Sequence, residues 1–238
     1  MQLIICHFII FVAEMVIDDI YRKYLGSAGI STDSRQVKKG SIFFALKGER
    51  FNGNAYAAGA LEKGAIMAVI DEPQYKIGEK CILVDDAMKT LQELAQHHRR
   101  QLKIPIIGLT GTNGKTTTKE LIARVLEKKY RTLATQGNLN NHIGVPITLL
   151  GISADTEIAV IEMGANHIGE IDQLCSIARP DYGLITNIGK AHLEGFGSYE
   201  GVIRAKTELY GFLGRSGGIA VVNRDDNLLM DLSESLKR

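Results

Sequence analysis

Two hydrophobic patterns alternate along the chain. Short unbroken apolar runs, SIFFAL (41–46), AIMAVI (65–70) and CILV (81–84), sit between glycine-bearing turns and read as strands, with one helix-like stretch near Ala55 to Lys63. From Ser31 to about Asp85 this describes a small α/β unit. Met88, Leu91, Leu94, Ala95 and His98 then recur at helical spacing, and HHRRQLKIP closes that stretch with charge and a proline, placing a domain boundary near residue 102. Beyond it, IPIIGL, RTLAT, EIAVIE, YGLITN and GGIAVVN alternate with helix-period segments that start at Lys115, near Ile168 and near Ser198. Such alternation predicts a mostly parallel sheet with helices on both faces. The expected fold class is therefore α/β, with a small domain over residues 15–102 and a larger sheet domain over 103–238.

The start of the chain breaks this pattern. LIICHFIIFVA (3–13) is apolar, but it is about half the ~20 residues a spanning helix needs. Its first basic residue is Arg22, too late for a secretory signal. Residues 1–14 read as a buried strand or an upstream extension, with Met15 a sensible alternative start before the amphipathic VIDDIYRKYL. Composition adds that 28 Lys+Arg nearly cancel 27 Asp+Glu, for a net charge of +1, so no broad basic field exists to hold a nucleic acid or an anionic membrane. Phosphate recognition must be local. Cys6, Cys81 and Cys175 are odd in number and far apart, which points to a reduced, cytoplasmic compartment.

The local phosphate signal is GLTGTNGKTTTKE (108–120), which follows an apolar strand and opens a helix whose Leu121, Ile122, Val125 and Leu126 are expected to form its buried stripe. Gly111 and Gly114 let the backbone curl so that successive N–H groups of Thr112, Asn113 and their neighbours face one anion, at a helix N-terminus that favours negative charge. Lys115 supplies a charge for phosphate and Thr116 a hydroxyl for Mg²⁺, with Thr117 next to it. The strict motif wants a glycine where Leu109 stands, so the loop is a variant. Other strands also deliver polar groups at their carboxyl ends: Glu162, Asn187 with His192 five residues on, and Asn223.

Lys206 falls on an apolar stripe with Val202, Leu209 and Leu213, which should face the core. Either it snorkels to water, or burial keeps its amine neutral and able to take up CO₂ as a carbamate, an oxygen ligand for a hard cation. Thr32, Asp33, Ser34 and Arg35 fit a turn or cap followed by a solvated arginine. A phosphate-loop GTPase or small-molecule kinase would share the loop, but no N-K-x-D segment for reading guanine is present.

From about Ser31 to Asn227 these residues resemble the Mur ligases of peptidoglycan precursor synthesis. STDSR with GSIFFALKG resembles a uridine-nucleotide-binding domain, and GTNGKTT the ATP loop of the wider superfamily, folylpolyglutamate synthetases included. GNLNNHIGVP, EMGANHIGEI and NIGKAHLEGFGS are similar to the branch that adds D-Ala-D-Ala to UDP-N-acetylmuramoyl-tripeptide. The resemblance implies ATP, that tripeptide nucleotide and D-Ala-D-Ala as substrates, Mg²⁺ as cofactor, and no nucleic-acid partner or stable membrane insertion. It implies that Lys115 and Thr116 hold phosphate and one Mg²⁺, that Glu162 and His192 belong to metal sites, and that Lys206 is carbamylated. Asn223 would lie near the adenosine, Thr32, Asp33, Ser34 and Arg35 near the UDP, and Asn138 and Asn141 in the substrate site. FNGN, with Asn52 and Asn54, stands where many relatives read closer to D-G-H. Family members continue into a third domain, so the chain is expected to be C-terminally truncated; a silent nucleotide- or UDP-sugar-binding fragment and another Mur-type ligase are the alternatives.

Overall fold

The computed structural model describes residues 15–190 and 193–234; the apolar start and His192 lie outside the described residues. The chain divides into two compact units between His98 and Arg99.

In the first unit, helix α1 (residues 15–25) buries Ile17, Ile20 and Tyr24 at helical spacing. Strands β1 (Ile30–Ser31) and β2 (Ile42–Phe44) lead to a small hairpin of β3 (Lys47–Gly48) and β4 (Phe51–Asn52). A 3-10 turn (Gly53–Tyr56), α2 (Ala57–Glu62), β5 (Met67–Ile70) and β6 (Cys81–Leu83) follow. Strands β1, β2, β5 and β6 pair in that order, all parallel. The central β2 and β5 are buried at every position, as unbroken apolar runs require when both faces are covered. On α2, Ala57 and Ala60 pack into one cluster with Phe43, Ala68 and Ile70. Helix α3 (Ala87–Gln101) contributes Leu91, Leu94 and Ala95 to the core, its first turn capped by the Asp86 carboxylate, which accepts the Lys89 N–H at 2.8 Å. The division between units falls in the last turns of α3, where Arg99 turns its guanidinium to the Ala178 and Arg179 carbonyls and the Asp181 carboxylate.

The second unit runs β7 (Ile106–Thr110), α4 (Lys115–Leu126), β8 (Thr132–Ala134), α5 (Gly144–Leu149), β9 (Ile158–Glu162), α6 (Glu170–Ala178), β10 (Tyr182–Ile185), α7 (Leu193–Phe196), α8 (Tyr199–Ser216), β11 (Ile219–Val221) and α9 (Asn227–Ser233). Its sheet has the order β11-β10-β7-β9-β8, and every pairing is parallel. The crossover from β7 to β8 runs one way along the sheet, while those from β9 and β10 run the other. Right-handed crossovers then place α4 on one face and α6 with α8 on the other, consistent with α4 packing on β8 and β9 and α6 packing along α8. The neighbours β7 and β10 send the chain in opposite directions. That switch point opens a crevice at their carboxyl ends, where open α/β sheets bind ligands.

Helix α4 is rotated away from the stripe expected of it. The buried face of α4 is Lys119 and Ala123, while Leu121 and Val125 are 64% and 72% exposed. The phosphate loop fixes the rotation of the helix: Lys115, Lys119 and Ala123 follow one another at i+4 on the sheet side, which turns Leu121 and Val125 outward. Helix α5, absent from the sequence reading, contains Pro146. It stands at the third helical position, where the missing N–H has no partner to lose. Among the described residues no helix is long and apolar enough to cross a membrane.

Candidate active site at the carboxyl edge of the second sheet

Leaving β7, the chain turns at Gly111 with φ +145°, where an added Cβ would collide with the Thr186 hydroxyl, and enters α4 through Gly114 at φ +73°. The loop is fastened to the end of β10. Asn187 accepts the Thr112 N–H on its carbonyl at 3.0 Å and the Asn113 N–H on its side-chain oxygen at 3.1 Å. Its amide donates to the Asn113 carbonyl at 2.9 Å, which the Thr186 hydroxyl also reaches at 2.7 Å. The curl is thus preorganised by its neighbour strand, and, against the expectation from the sequence, the Thr112 and Asn113 N–H groups are turned to Asn187 instead of facing an anion. Lys115 folds back over it, its ammonium 2.9 Å from the Gly111 carbonyl and 3.1 Å from that of Thr112. Burial lowers the Lys115 pKa, opposed by the charge of Glu162.

Glu162 ends β9 and is 1% exposed. The Thr116 hydroxyl donates to its Oε2 at 3.1 Å, the Asn140 amide to its Oε1 at 2.8 Å, and its own N–H reaches the Thr135 hydroxyl at 2.9 Å. A buried carboxylate beside a hydroxyl is a hard-oxygen donor set of the kind Mg²⁺ takes. Among the described residues no group of three or more His, Cys, Asp or Glu forms a ready-made metal cluster, so the site needs further oxygen ligands.

Lys206 lies on α8 in the buried stripe Val202, Lys206, Leu209 and Leu213, and is 3% exposed. Among the described residues its ammonium makes one long hydrogen bond, 3.5 Å to the Ala165 carbonyl, and sits 5.4 Å from the centre of the Phe196 ring. Burial, and then the charge of Lys115, push its pKa down to about 8, against the pull of Glu170 and Glu208. Repulsion from Lys115 means that the amine shares the field of the phosphate loop. A polar cavity of about 340 Å³, lined by Lys115, Asn138, Asn140, Asn141, Ala165 and Glu170 among others, opens at this edge. A larger one, about 500 Å³, lies at the amino edge of the sheet; the buried guanidinium there, Arg99, is already committed to carbonyls and Asp181, so we place the chemistry in the smaller cavity.

The remaining residues singled out from the sequence are placed unevenly. Gly111, Thr112, Asn113, Gly114, Lys115, Thr116 and Glu162 come together, Lys206 lies within the field of Lys115, and Thr117 is exposed on the first turn of α4. Asn138 is exposed on the cavity wall. Asn141 also lines the cavity and caps α5, accepting the Ile143 and Gly144 N–H groups at 3.1 and 2.9 Å. Sequence reasoning missed Asn140, its neighbour, as the residue that holds Glu162, and missed Thr135, Glu170 and Thr186. Asn223 is exposed beyond β11, its side chain accepting the Asp225 N–H at 3.2 Å.

In the first unit, Thr32, Asp33, Ser34 and Arg35 follow β1 directly, at the carboxyl end of a parallel strand. Arg35 forks onto Asp33 at 2.9 and 2.8 Å, and this holds the Asp33 carboxyl down at about 2. Ser34 offers its carbonyl to Lys63 at 2.7 Å. Asn54 is 1% exposed, donating to Asn52 at 2.9 Å and to Asp71 at 2.8 Å, while Asn52 reaches Glu72 at 3.0 Å. The FNGN segment is a brace between the hairpin and the end of β5.

A parallel sheet with a lysine-bearing loop at its switch point defines the class, a phosphate-loop α/β fold. Comparison with known proteins narrows it. The model of the Mur ligase middle domain matches residues 109–238, and that of the Mur ligase family, catalytic domain, matches residues 27–99. The chain belongs to the Mur ligase family. It is 43% identical over 205 residues to the UDP-N-acetylmuramoyl-tripeptide–D-alanyl-D-alanine ligase of Bacillus subtilis (strain 168), covering 85% of this chain and 45% of that protein. Against the Escherichia coli (strain K12) ligase of the same name it is 43% identical over 198 residues, covering 83% and 43%. Among solved structures it is similar to MurF from Acinetobacter baumannii, with a TM-score of 0.78 at 39% identity over 87% of this chain and 46% of that one. The MurF ligase of Thermotoga maritima in complex with ADP gives 0.78 at 34% identity over 88% and 48%. The chain spans about half the length of the curated relatives it matches.

Proposed function

We propose that this chain carries the nucleotide and UDP-substrate sites of an ATP-dependent amide ligase of peptidoglycan precursor synthesis. The reaction adds D-Ala-D-Ala to UDP-N-acetylmuramoyl-tripeptide. The observation that carries this reading is the meeting of Lys115, Thr116, Glu162 and the buried Lys206 at one sheet edge. The names of the relatives supply the substrate.

A substrate carboxylate takes the γ-phosphoryl group of ATP, and the amine of D-Ala-D-Ala then displaces phosphate from the acyl phosphate, giving amide, ADP and phosphate. Both partners of the first step are anions, so charge must be cancelled and the reacting atoms aligned. Lys115, held over the loop by two carbonyls, exchanges those contacts for phosphate oxygens, and the N–H groups of the first turn of α4 add to it, those of Thr112 and Asn113 being held by Asn187. Thr116 and Glu162, with His192 and a carbamate on Lys206, would hold the metal. Mg²⁺ bound there supplies positive charge to the phosphoryl oxygens. The carbamate forms when the neutral Lys206 amine attacks CO₂ and loses a proton; an amine of pKa about 8 is about one quarter neutral at pH 7.5, against about one thousandth at the ordinary 10.5. Asn223 is assigned to the adenosine, Thr32 to Arg35 to the UDP, and Asn138 to the peptide end. The free, buried Cys81 and Cys175 suit a reducing, cytoplasmic setting.

A second reading is a binding module, which the same phosphate loop and polar cavity would serve without turnover. Phosphate release from ATP dependent on D-Ala-D-Ala, measured beside calorimetric titrations with ATP and the UDP-tripeptide, separates the two. Turnover supports the ligase, binding of both nucleotides without turnover supports the module, and binding of neither overturns both.

A further inference from the structure

We propose that Lys119 is a positioning residue for Glu162, acting through Thr135; this rests on the ATP and magnesium reading above. Lys119 is fully buried on α4, one turn after Lys115. Its ammonium donates to the Thr135 carbonyl at 2.6 Å and lies 2.9 Å from the Glu120 carboxylate. Thr135, 1% exposed just past β8, is tied to β9 twice: its N–H reaches the Val160 carbonyl at 3.0 Å, and its hydroxyl accepts the Glu162 N–H at 2.9 Å. Three residues before Lys119 on the same helix, Thr116 donates to the Glu162 carboxylate.

These contacts close a ring. It runs from Thr116 to the Glu162 side chain, through the Glu162 backbone to Thr135, back to Lys119, and along α4 to Thr116. Without Lys119 the ring opens at the Thr135 carbonyl, and among the hydrogen bonds of the described residues the Thr116 hydroxyl alone is left to fix the phosphate-loop helix, which also packs on β8 and β9, to the Glu162 side chain. A buried lysine is a costly way to fill space, and an apolar side chain would pack there without desolvating a charge. Its place in the ring supplies the reason for a lysine: it fixes the distance between the two elements that must hold one phosphate-bound cation.

The test uses the full chain with Lys119→Met, Thr135→Val and the conservative Thr135→Ser, read by amide hydrogen exchange at Glu162 and by ATP affinity in Mg²⁺ and in EDTA. In Lys119→Met and Thr135→Val, exchange at Glu162 should rise at least tenfold and the gain in ATP affinity from Mg²⁺ should shrink at least fivefold. Affinity in EDTA should stay within twofold, and Thr135→Ser should restore both readouts. In a Glu162→Gln background Lys119→Met should remove nothing further from the Mg²⁺ gain. Unchanged exchange at Glu162 in Lys119→Met and Thr135→Val overturns the proposal. So does faster exchange with the Mg²⁺ gain intact, which would make Lys119 a stabiliser only. Absence of Mg²⁺-dependent ATP binding in the unsubstituted chain overturns the nucleotide reading instead, and the exchange measurement still decides whether Lys119 holds Glu162.

Discussion

Lys119 and Lys206 are removed from solvent to nearly the same degree, on helices that cover opposite faces of one sheet. Lys119 has a carbonyl at 2.6 Å and a carboxylate at 2.9 Å. Lys206 has one carbonyl at 3.5 Å, an aromatic ring, and a second lysine in its field. Burial alone therefore does not make a lysine reactive. What matters is whether the surroundings satisfy the ammonium, and at Lys206 they leave it poorly satisfied, next to the phosphate loop.

The sharpest contrast is chemical. With ¹³C-bicarbonate, NMR should show one carbamate resonance that persists in Lys119→Met and vanishes in Lys206→Met; label retained in Lys206→Met would break the distinction. Stability should move in opposite directions. The Lys206 pKa is depressed from 10.5 to about 8, so its folded-state penalty is absent above 10.5 and fully present once pH falls below about 8. At pH 7, Lys206→Met should thus stabilise the chain by up to about 3 kcal/mol, an advantage that fades between pH 8 and 10.5. Lys119→Met should cost about 1–3 kcal/mol by leaving the Thr135 carbonyl unpaired. Denaturant unfolding across pH reads both, and equal signs at pH 7 would remove the contrast.

Smaller effects sharpen the same edge. Asn140→Ala should lower Mg²⁺-dependent ATP affinity about tenfold, the scale of one hydrogen bond to a charged group. Asn141→Ala should spare ATP and cost about 1 kcal/mol of stability as a lost cap. Calorimetry and thermal unfolding distinguish them, and an ATP defect confined to Asn141→Ala would reverse the assignment. Smallest of all, Leu121→Lys on the exposed side of α4 should change unfolding free energy by less than about 0.5 kcal/mol. A loss of several kcal/mol would return Leu121 to the core.

The strands and the phosphate loop were legible because each is a contiguous signal: an unbroken apolar run, or glycines at fixed distances from a lysine. Lys206 was legible because its i and i+4 neighbours are apolar without exception. The rotation of α4 was not, since four apolar residues at helical spacing outweighed a lysine until the loop set the phase. Asn138, Asn140 and Asn141 stand within four positions, and only the turn conformation decides which one meets Glu162 and which one caps α5. Ring contacts such as Lys119 to Thr135 join residues on separate elements, and no periodicity along the chain records them.

The central claim is that Lys115, Glu162 and Lys206 serve one nucleotide and cation site. Calorimetric titration of the chain with ATP, with and without Mg²⁺, compared with Lys115→Ala and Glu162→Gln, tests it most directly. Binding should be strengthened by Mg²⁺, weakened at least about tenfold in Lys115→Ala, and made insensitive to Mg²⁺ in Glu162→Gln. ATP affinity that is the same in all three proteins, or that ignores Mg²⁺ in the unsubstituted chain, would contradict it.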